Sequence, residues 1–344
     1  MCRRENLGPS TGVSMCVQFP WCKCWCAQEE SFGQSFASGE CYEPSTGQWR
    51  ALPSMSTPRS FCAAVGMDGL FYVVGGYDMG RQHYTHGGQL DCTDTAECYD
   101  PLMGQWRALP TMHESRSFCT AAAACADGLL YVLGGFHNNF NVTSNVWEDG
   151  PLDTMECYNP LTSLWQLLPK MSVARIACAA AYADGLIYVV GGCTKDETLA
   201  SAECYDILTQ TWQPLPDMTE RREACAAVCL DGLLYVIGGG ADAGYGWRGD
   251  GLHGGNALAS VEVFNPLTRE WQALPDMSVP RRGCAAACLD GLLYVTGGRS
   301  GSVELASAEC YDPISRQWRS LPDMSIPRVS CAVAVLPTWA SAPR

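Results

Sequence analysis

Short apolar runs alternate with glycine, proline and polar steps along the chain, and the runs return in a fixed order. Six segments begin Glu-Cys-Tyr or a variant and pass through Trp and Leu-Pro to Met: ECYEPSTGQWRALPSM, ECYDPLMGQWRALPTM, ECYNPLTSLWQLLPKM, ECYDILTQTWQPLPDM, EVFNPLTREWQALPDM and ECYDPISRQWRSLPDM. Between copies stands a second pattern, whole in five places: an Arg, a stretch rich in Ala and Cys, Asp-Gly, then an apolar run such as LLYVIGG that ends on a glycine pair. Such runs, rich in Val, Ile and aromatic residues and bounded by turn residues, predict strands. Asp-Gly between the first two predicts a tight hairpin. A second tight reversal is predicted where Asp100-Pro101 or Asn265-Pro266 precedes the Trp strand. Each period of 47 to 59 residues therefore reads as a four-stranded antiparallel meander.

The first strand of a period has the composition Cys-Ala-Ala-Ala, as at 178–181 and 284–287, although Ala is depleted in ordinary strands. The composition fits sheets that converge on an axis, where the innermost strand has room only for small side chains and the outer strands carry Tyr and Trp. The expected fold is all-β: a six-bladed β-propeller, each blade a four-stranded antiparallel sheet. The chain opens with the third and fourth strands of one blade and ends on an inner strand at about 327–335, so N- and C-terminal strands pair in one composite blade. That blade shows no Asp-Gly hairpin or glycine-pair strand, and residues 17–26, VQFPWCKCWC, are the material expected to fill the place. The expected organisation is a leader over 1–36 that supplies this strand, the propeller over 37–336 and a short tail over 337–344.

The glycine pair, the Tyr at fixed distance before the Trp and the Arg that opens the inner strand together resemble the kelch repeat, over about residues 37 to 336. The resemblance implies a propeller and, most often, a protein-binding role. In several kelch domains that serve ubiquitin-ligase adaptors, arginines on the loop face bind acidic peptide motifs. Other kelch-like propellers are enzymes, among them a copper-radical oxidase, a sialic acid mutarotase and plant glucosinolate-product specifiers. The stretch before the first repeat is too short for a broad-complex dimerisation domain or an F-box and lacks helical periodicity.

In a meander the two-to-three and four-to-one connections share one face, and function is expected on these longer loops. Three of them, 77–95, 136–154 and 240–260, carry about ten residues more than the equivalent connections in other repeats. Aromatic side chains on long loops bury large area at little entropic cost. Tyr77, Tyr84, Phe136, Phe140, Trp147, Tyr245 and Trp247 are therefore the predicted partner contacts. The competing reading is that these loops fold back and cap the mouth.

Six arginines open the inner strands: Arg59, Arg116, Arg175, Arg222, Arg281 and Arg328. Read through the resemblance, they ring the mouth and receive carboxylates of a ligand. Each repeat also carries one Glu, at 40, 97, 156, 203, 262 and 309, and buried charges need partners. One Arg to one Glu therefore points to a structural ring, which leaves Arg221, Arg282, Arg248 and Arg299 as the better candidates for contact with an acidic segment.

Cys62, Cys119, Cys178, Cys225, Cys284 and Cys331 also recur once per repeat. Cys packs as a small apolar residue, so they read as reduced packing residues, and no metal or cofactor is expected. The Cys22, Cys24 and Cys26 run lacks zinc-ribbon spacing and a fourth ligand. A formal charge of -14 opposes phosphate backbones and anionic lipid. No apolar run spans a bilayer and no secretory h-region follows the start. The expectation is a monomeric, cytoplasmic propeller that binds a protein as a substrate-recognition or scaffold subunit. The alternative is a small-molecule enzyme, a sugar mutarotase or metal-dependent oxidase, with its site at the mouth. For the oxidase only His83, Tyr84 and His86 lie close in sequence, and no nucleophile elbow, phosphate loop or zinc-protease helix motif is present.

Overall fold

The computed structural model describes residues 13–17, 37–43, 46–77, 92–124, 128–141, 146–241, 256–330 and 332–336. Its regular elements are all strands, and no helix among the described residues is long and apolar enough to cross a membrane. Six four-stranded sheets form.

The third blade shows the plan: Ala179–Ala183, Leu186–Val190, Ala202–Asp206 and Thr211–Leu215 pair antiparallel in chain order. Asp184 and Gly185 turn the first hairpin with φ of 50° and 83°, both positive as a type I′ turn requires. The second and third strands are buried along nearly their whole length. Both of their faces lie against neighbouring blades, so these strands read as continuous apolar runs and not as an alternation.

The inner strands Ala63–Met67, Thr120–Ala124, Ala179–Ala183, Ala226–Leu230, Ala285–Leu289 and Ala332–Leu336 touch in that order around the axis, and the last returns to the first. Blades are tied to their neighbours at two radii. Near the rim each Trp donates its indole N–H to the Leu-Pro carbonyl of the preceding blade: Trp106 to Pro53 at 2.9 Å, Trp212 to Pro169 at 2.9 Å. The same Trp stacks on the Tyr or Phe opposite it in register, with Tyr205 and Trp212 centroids 5.2 Å apart. Nearer the axis, Gly76 N–H donates to the Arg116 carbonyl of the next blade at 2.6 Å.

The composite blade closes the ring with the strand order Ala332–Leu336, Val13–Val17, Gly39–Glu43, Gln48–Leu52. The closing strand is thus Val13–Val17, upstream of the 17–26 stretch expected to supply it. The reason is Pro20: this strand pairs on both sides, and a proline cannot donate to a central ladder, whereas VSMCV is free of proline and glycine. At the junction with the fifth blade Trp49 donates to Pro322 O at 3.2 Å and the Gly298 N–H to Arg328 O at 2.7 Å, and within the composite blade Arg328 pairs with Glu40 at 2.7 Å.

Candidate functional site

The six repeat arginines are buried and do not line the mouth. Each guanidinium meets the Glu on the third strand of its own blade: Arg59 with Glu97 at 3.2 Å, Arg116 with Glu156 at 3.1 Å, Arg175 with Glu203 at 3.1 Å. Arg222 with Glu262 at 3.0 Å, Arg281 with Glu309 at 2.9 Å and the composite-blade pair of Arg328 complete the set. Arg222 shows how the charge is satisfied. Its Nη1 also donates to Gly238 O and Ser260 O, and Glu262 accepts in addition from the Thr219 N–H and hydroxyl. The ring therefore fastens each blade-to-blade crossing onto the blade it enters, and offers no charge to a ligand.

The mouth on the loop face is made two residues further on, at Phe61, Phe118, Ala177, Ala224, Gly283 and Ser330, all with φ between 47° and 66°. Their peptides bond head to tail around the axis: Phe118 N to Phe61 O, Ala177 N to Phe118 O, Ala224 N to Ala177 O, Gly283 N to Ala224 O and Ser330 N to Gly283 O, at 2.7 to 3.0 Å. Only the side chains break this symmetry. Phe61 and Phe118 stack at 3.9 Å between centroids, half-buried on one side of the opening, and the other side carries only small residues. The sequence held this signal as a variable position inside a constant repeat.

The mouth and the channel it opens into hold about 180 Å³, open to solvent and walled chiefly by inner-strand Ala and Cys. Burial pushes the Cys119 and Cys225 thiols up to about 12 and Cys178 to about 11, from an ordinary 9.0. They are neutral at physiological pH, and the thiolate is the reactive form. Among the described residues no three metal-ligating side chains come together, and Cys22, Cys24 and Cys26 lie outside them. Two results are expected. Iodoacetamide at pH 8 modifies these thiols only after unfolding. Between about pH 9 and 12 the unfolded thiols ionise while the folded ones hold their protons, so the urea midpoint, steady below pH 9, falls as pH rises through that window.

The predicted contact residues separate. Tyr77 and Phe136 are buried, in one cluster with Cys92, Ile176 and Cys193 packed against Phe61, Phe118 and Ala177 of the mouth, so they present little side-chain surface to a partner. The cause is local pairing: Tyr77 bridges Ser60 and Cys92, and Phe136 bridges Ser117, which draws the start of each loop down onto the inner-strand entry. Phe140 and Trp147 are backbone partners in the register of a hairpin, Phe136–Asn141 with Val146–Pro151, inserted in the second blade. Lys195 of the third blade donates to Asp149 O at 2.9 Å and braces this hairpin. Tyr84, Tyr245, Trp247 and Arg248 lie outside the described residues, as do His83 and His86.

Arg221 is half-exposed and pairs with Glu197. Arg282 is buried against Glu223 of the preceding blade, an ion pair that no other junction among the described residues repeats, so it is a staple between blades and not an exposed contact. Burial raises the Glu223 carboxyl against the lowering pull of Arg282. Arg299 opens a short hairpin, Arg299–Ser300 with Val303–Glu304, and its Nε donates to Gly301 O at 3.0 Å. An acid and a base one residue past the ring Arg in adjacent repeats was the sequence signal for the Glu223–Arg282 pair.

Known proteins share this pattern. Over 150 residues the chain is 33% identical to human Kelch-like protein 33, covering 43% of this chain and 25% of that protein. It is 36% identical over 126 residues to Kelch-like ECH-associated protein 1B of Danio rerio, 36% of this chain and 18% of that one. Alpha-scruin of Limulus polyphemus matches at 26% over 171 residues, 49% and 17%. The matched stretches thus span a quarter or less of these relatives' lengths. The solved structure of YjhT superposes with a TM-score of 0.68 at 14% identity, over 91% of this chain and 99% of that one, which speaks for the fold. The Kelch motif matches residues 29–56 and 280–325. The family described as the KLHDC2/KLHL20/DRC7 Kelch-repeats domain matches residues 63–278, and the chain belongs to that Kelch-repeat family.

Proposed function

We propose that this propeller is a protein-interaction module that holds its partner on the loop face, as a substrate-recognition or scaffold subunit working in the cytoplasm. The observation that carries the reading is the asymmetry of that face. A ring whose backbone repeats from blade to blade carries a braced hairpin on the second blade and a phenylalanine stack on one side of the mouth. Symmetric residues serve the blades; asymmetric ones on positioned loops are where recognition concentrates. The Kelch-like relatives agree in kind. The channel supports a small-molecule substrate less well: about 180 Å³ lies below the roughly 300–1,000 Å³ usual for ligand pockets, and its thiols are held neutral.

For an acidic segment in the partner the reading looks to Arg221, half-exposed on this face and already paired with Glu197, in place of the ring arginines, which are buried. The test shortens 136–154 to the length of 193–201, which already closes the third blade, by cutting between Phe136 and Leu152 so that these buried residues and Thr154, an acceptor for Arg116, stay in place. A partner recovered from reducing lysate by the intact chain and lost by the shortened one, at unchanged melting temperature, is the expected result. Equal recovery by both removes the loop face as the recognition surface.

A further inference from the structure

The face opposite the loops carries a feature that blade architecture does not require. At the tip of the three-to-four turn, Leu161, Leu208, Leu267 and Ile314 are 96%, 92%, 95% and 96% exposed, and Leu102 is 64% exposed. These side chains add almost nothing to the core. Nor does the turn need them, because the sixth repeat has Ser45 at the same place. The turn is made by the residue two before the tip: Asp100, Asn159, Asp206, Asn265 and Asp312 each accept, through Oδ1, the N–H of the aliphatic tip at 2.8 or 2.9 Å. The tips are consequently held on fixed backbone, and little freedom is lost when they are covered. On the second blade the apolar surface extends down the outer strand, with Leu164 66% exposed where other repeats place Gln, Thr or Glu.

What would cover such tips follows from the charge inside them. The one-to-two turns share this face, since alternate turns of a meander lie at the same end, and they crowd the axis because the inner strands do. Asp68, Asp184, Asp231 and Asp290 stand there, all exposed. Two of them reach towards the next blade: Asp68 Oδ2 lies 3.9 Å from where a Cβ on Gly128 would be, and Asp184 Oδ2 lies 3.8 Å from the same point on Gly232. Further out, Asp206 and Asp312 are held below the usual carboxylate range by hydrogen bonds, from the Thr209 N–H in the first case and the Ser315 hydroxyl in the second. Among the described residues the cations on these turns are Arg269 and Arg316, at the rim of the fourth and fifth blades. An anionic membrane would be repelled by this hub. A second copy docked face to face would set acid against acid.

We propose that the tight-turn face is a second interaction surface, which takes a basic protein segment with flanking apolar side chains: lysines or arginines over the aspartate hub, apolar groups against the aliphatic tips. It is distinct from the loop face, so one propeller can hold two proteins at opposite ends of its axis.

The test titrates the intact chain with a synthetic helical peptide of Leu and Lys at amphipathic spacing, and with its Leu/Glu counterpart. The serine variant L102S, L161S, L208S, L267S, I314S copies the sixth repeat, and D184N, D231N keeps residues that tolerate the left-handed turn. The Leu/Lys peptide is expected to bind, more weakly as salt rises from about 0.05 to 0.5 M. The serine variant is expected to lose roughly tenfold or more in affinity with an unchanged melting temperature, and the asparagine variant to lose most of the salt dependence. The chain with residues 136–154 shortened is expected to bind the peptide as before. No binding, equal binding of the Leu/Glu peptide, or unaltered affinity in the serine variant overturns the proposal. So does capture by phosphatidylserine vesicles in place of the peptide, or a dimer in solution that the serine variant abolishes.

Discussion

Arg222→Leu is expected to destabilise the propeller by about 3–5 kcal/mol, whereas Arg221→Leu, one residue away, is expected to cost less than about 1 kcal/mol. The two side chains differ in what they leave behind. Arg222 is fully buried and donates to Glu262, Gly238 O, Ser260 O, the Ser260 hydroxyl and Glu220. Removing it leaves the Glu262 carboxylate in the interior without its counterion and takes a donor from two backbone carbonyls, and a buried charge without its counterion is the expensive outcome. Arg221 pairs with Glu197 in solvent, both more than half exposed, where water replaces the lost contact. Urea melts of both variants, with the pair Arg222→Leu/Glu262→Leu beside them, check the account. The double variant is expected to recover part of the loss, since no lone charge remains buried, but not all of it, because the Gly238 carbonyl loses its guanidinium donor and the Ser260 carbonyl keeps only the Gly238 N–H. Equal, small losses for Arg221→Leu and Arg222→Leu would show that the ring is ornamental to stability.

The blade was legible because each of its features has a local cause. Asp184-Gly185 makes a type I′ hairpin wherever it stands, and Ile187 to Val190 form an unbroken apolar run because both faces of that strand are covered. The Ala and Cys taper of the inner strands reported the axis. What the sequence could not show was which way a long side chain turns. Arg222 reads as a blade residue only through the one-to-one count of Arg and Glu; the contact itself depends on Glu262, 40 residues away, reaching back to the same crossing. Tyr77 and Phe136 read as exposed loop aromatics because loops are ordinarily on the surface, yet a single bridged pair with Ser60 and Ser117 pulls each one against the mouth. The closing strand was misplaced by a few residues because it lacks the Asp-Gly and glycine-pair signals of the other second strands. The proline at position 20, visible in the sequence, carried the information that excluded the 17–26 alternative.

The glycine pair gives the second large effect. Gly191→Ala is expected to cost about 4 kcal/mol or to prevent folding, and Gly185→Ala in the same blade about 1 kcal/mol. Both have positive φ, 61° and 83°, so both lose the freedom that glycine has there. They differ in what a methyl group would meet. At Gly185 there is nothing within 4 Å. At Gly191 the added Cβ would lie 2.2 Å from the Arg222 carbonyl oxygen, and 3.3 Å from the Met218 methyl. Met218 can turn aside, but the carbonyl cannot: it accepts the Gly192 N–H at 2.7 Å, and its own residue is anchored by the buried guanidinium in the next blade. The only relief is to move the third and fourth blades apart, which breaks that hydrogen bond and opens the packing of Met218 and Val190 at the junction. Thermal melts of the two alanine variants separate the contributions. The loss common to both is the backbone conformation, and the excess in Gly191→Ala is the blade-to-blade approach. Equal losses would mean that neighbouring blades can part by about an ångström without cost, and that the tightness of the ring comes from the tryptophan ties at the rim alone.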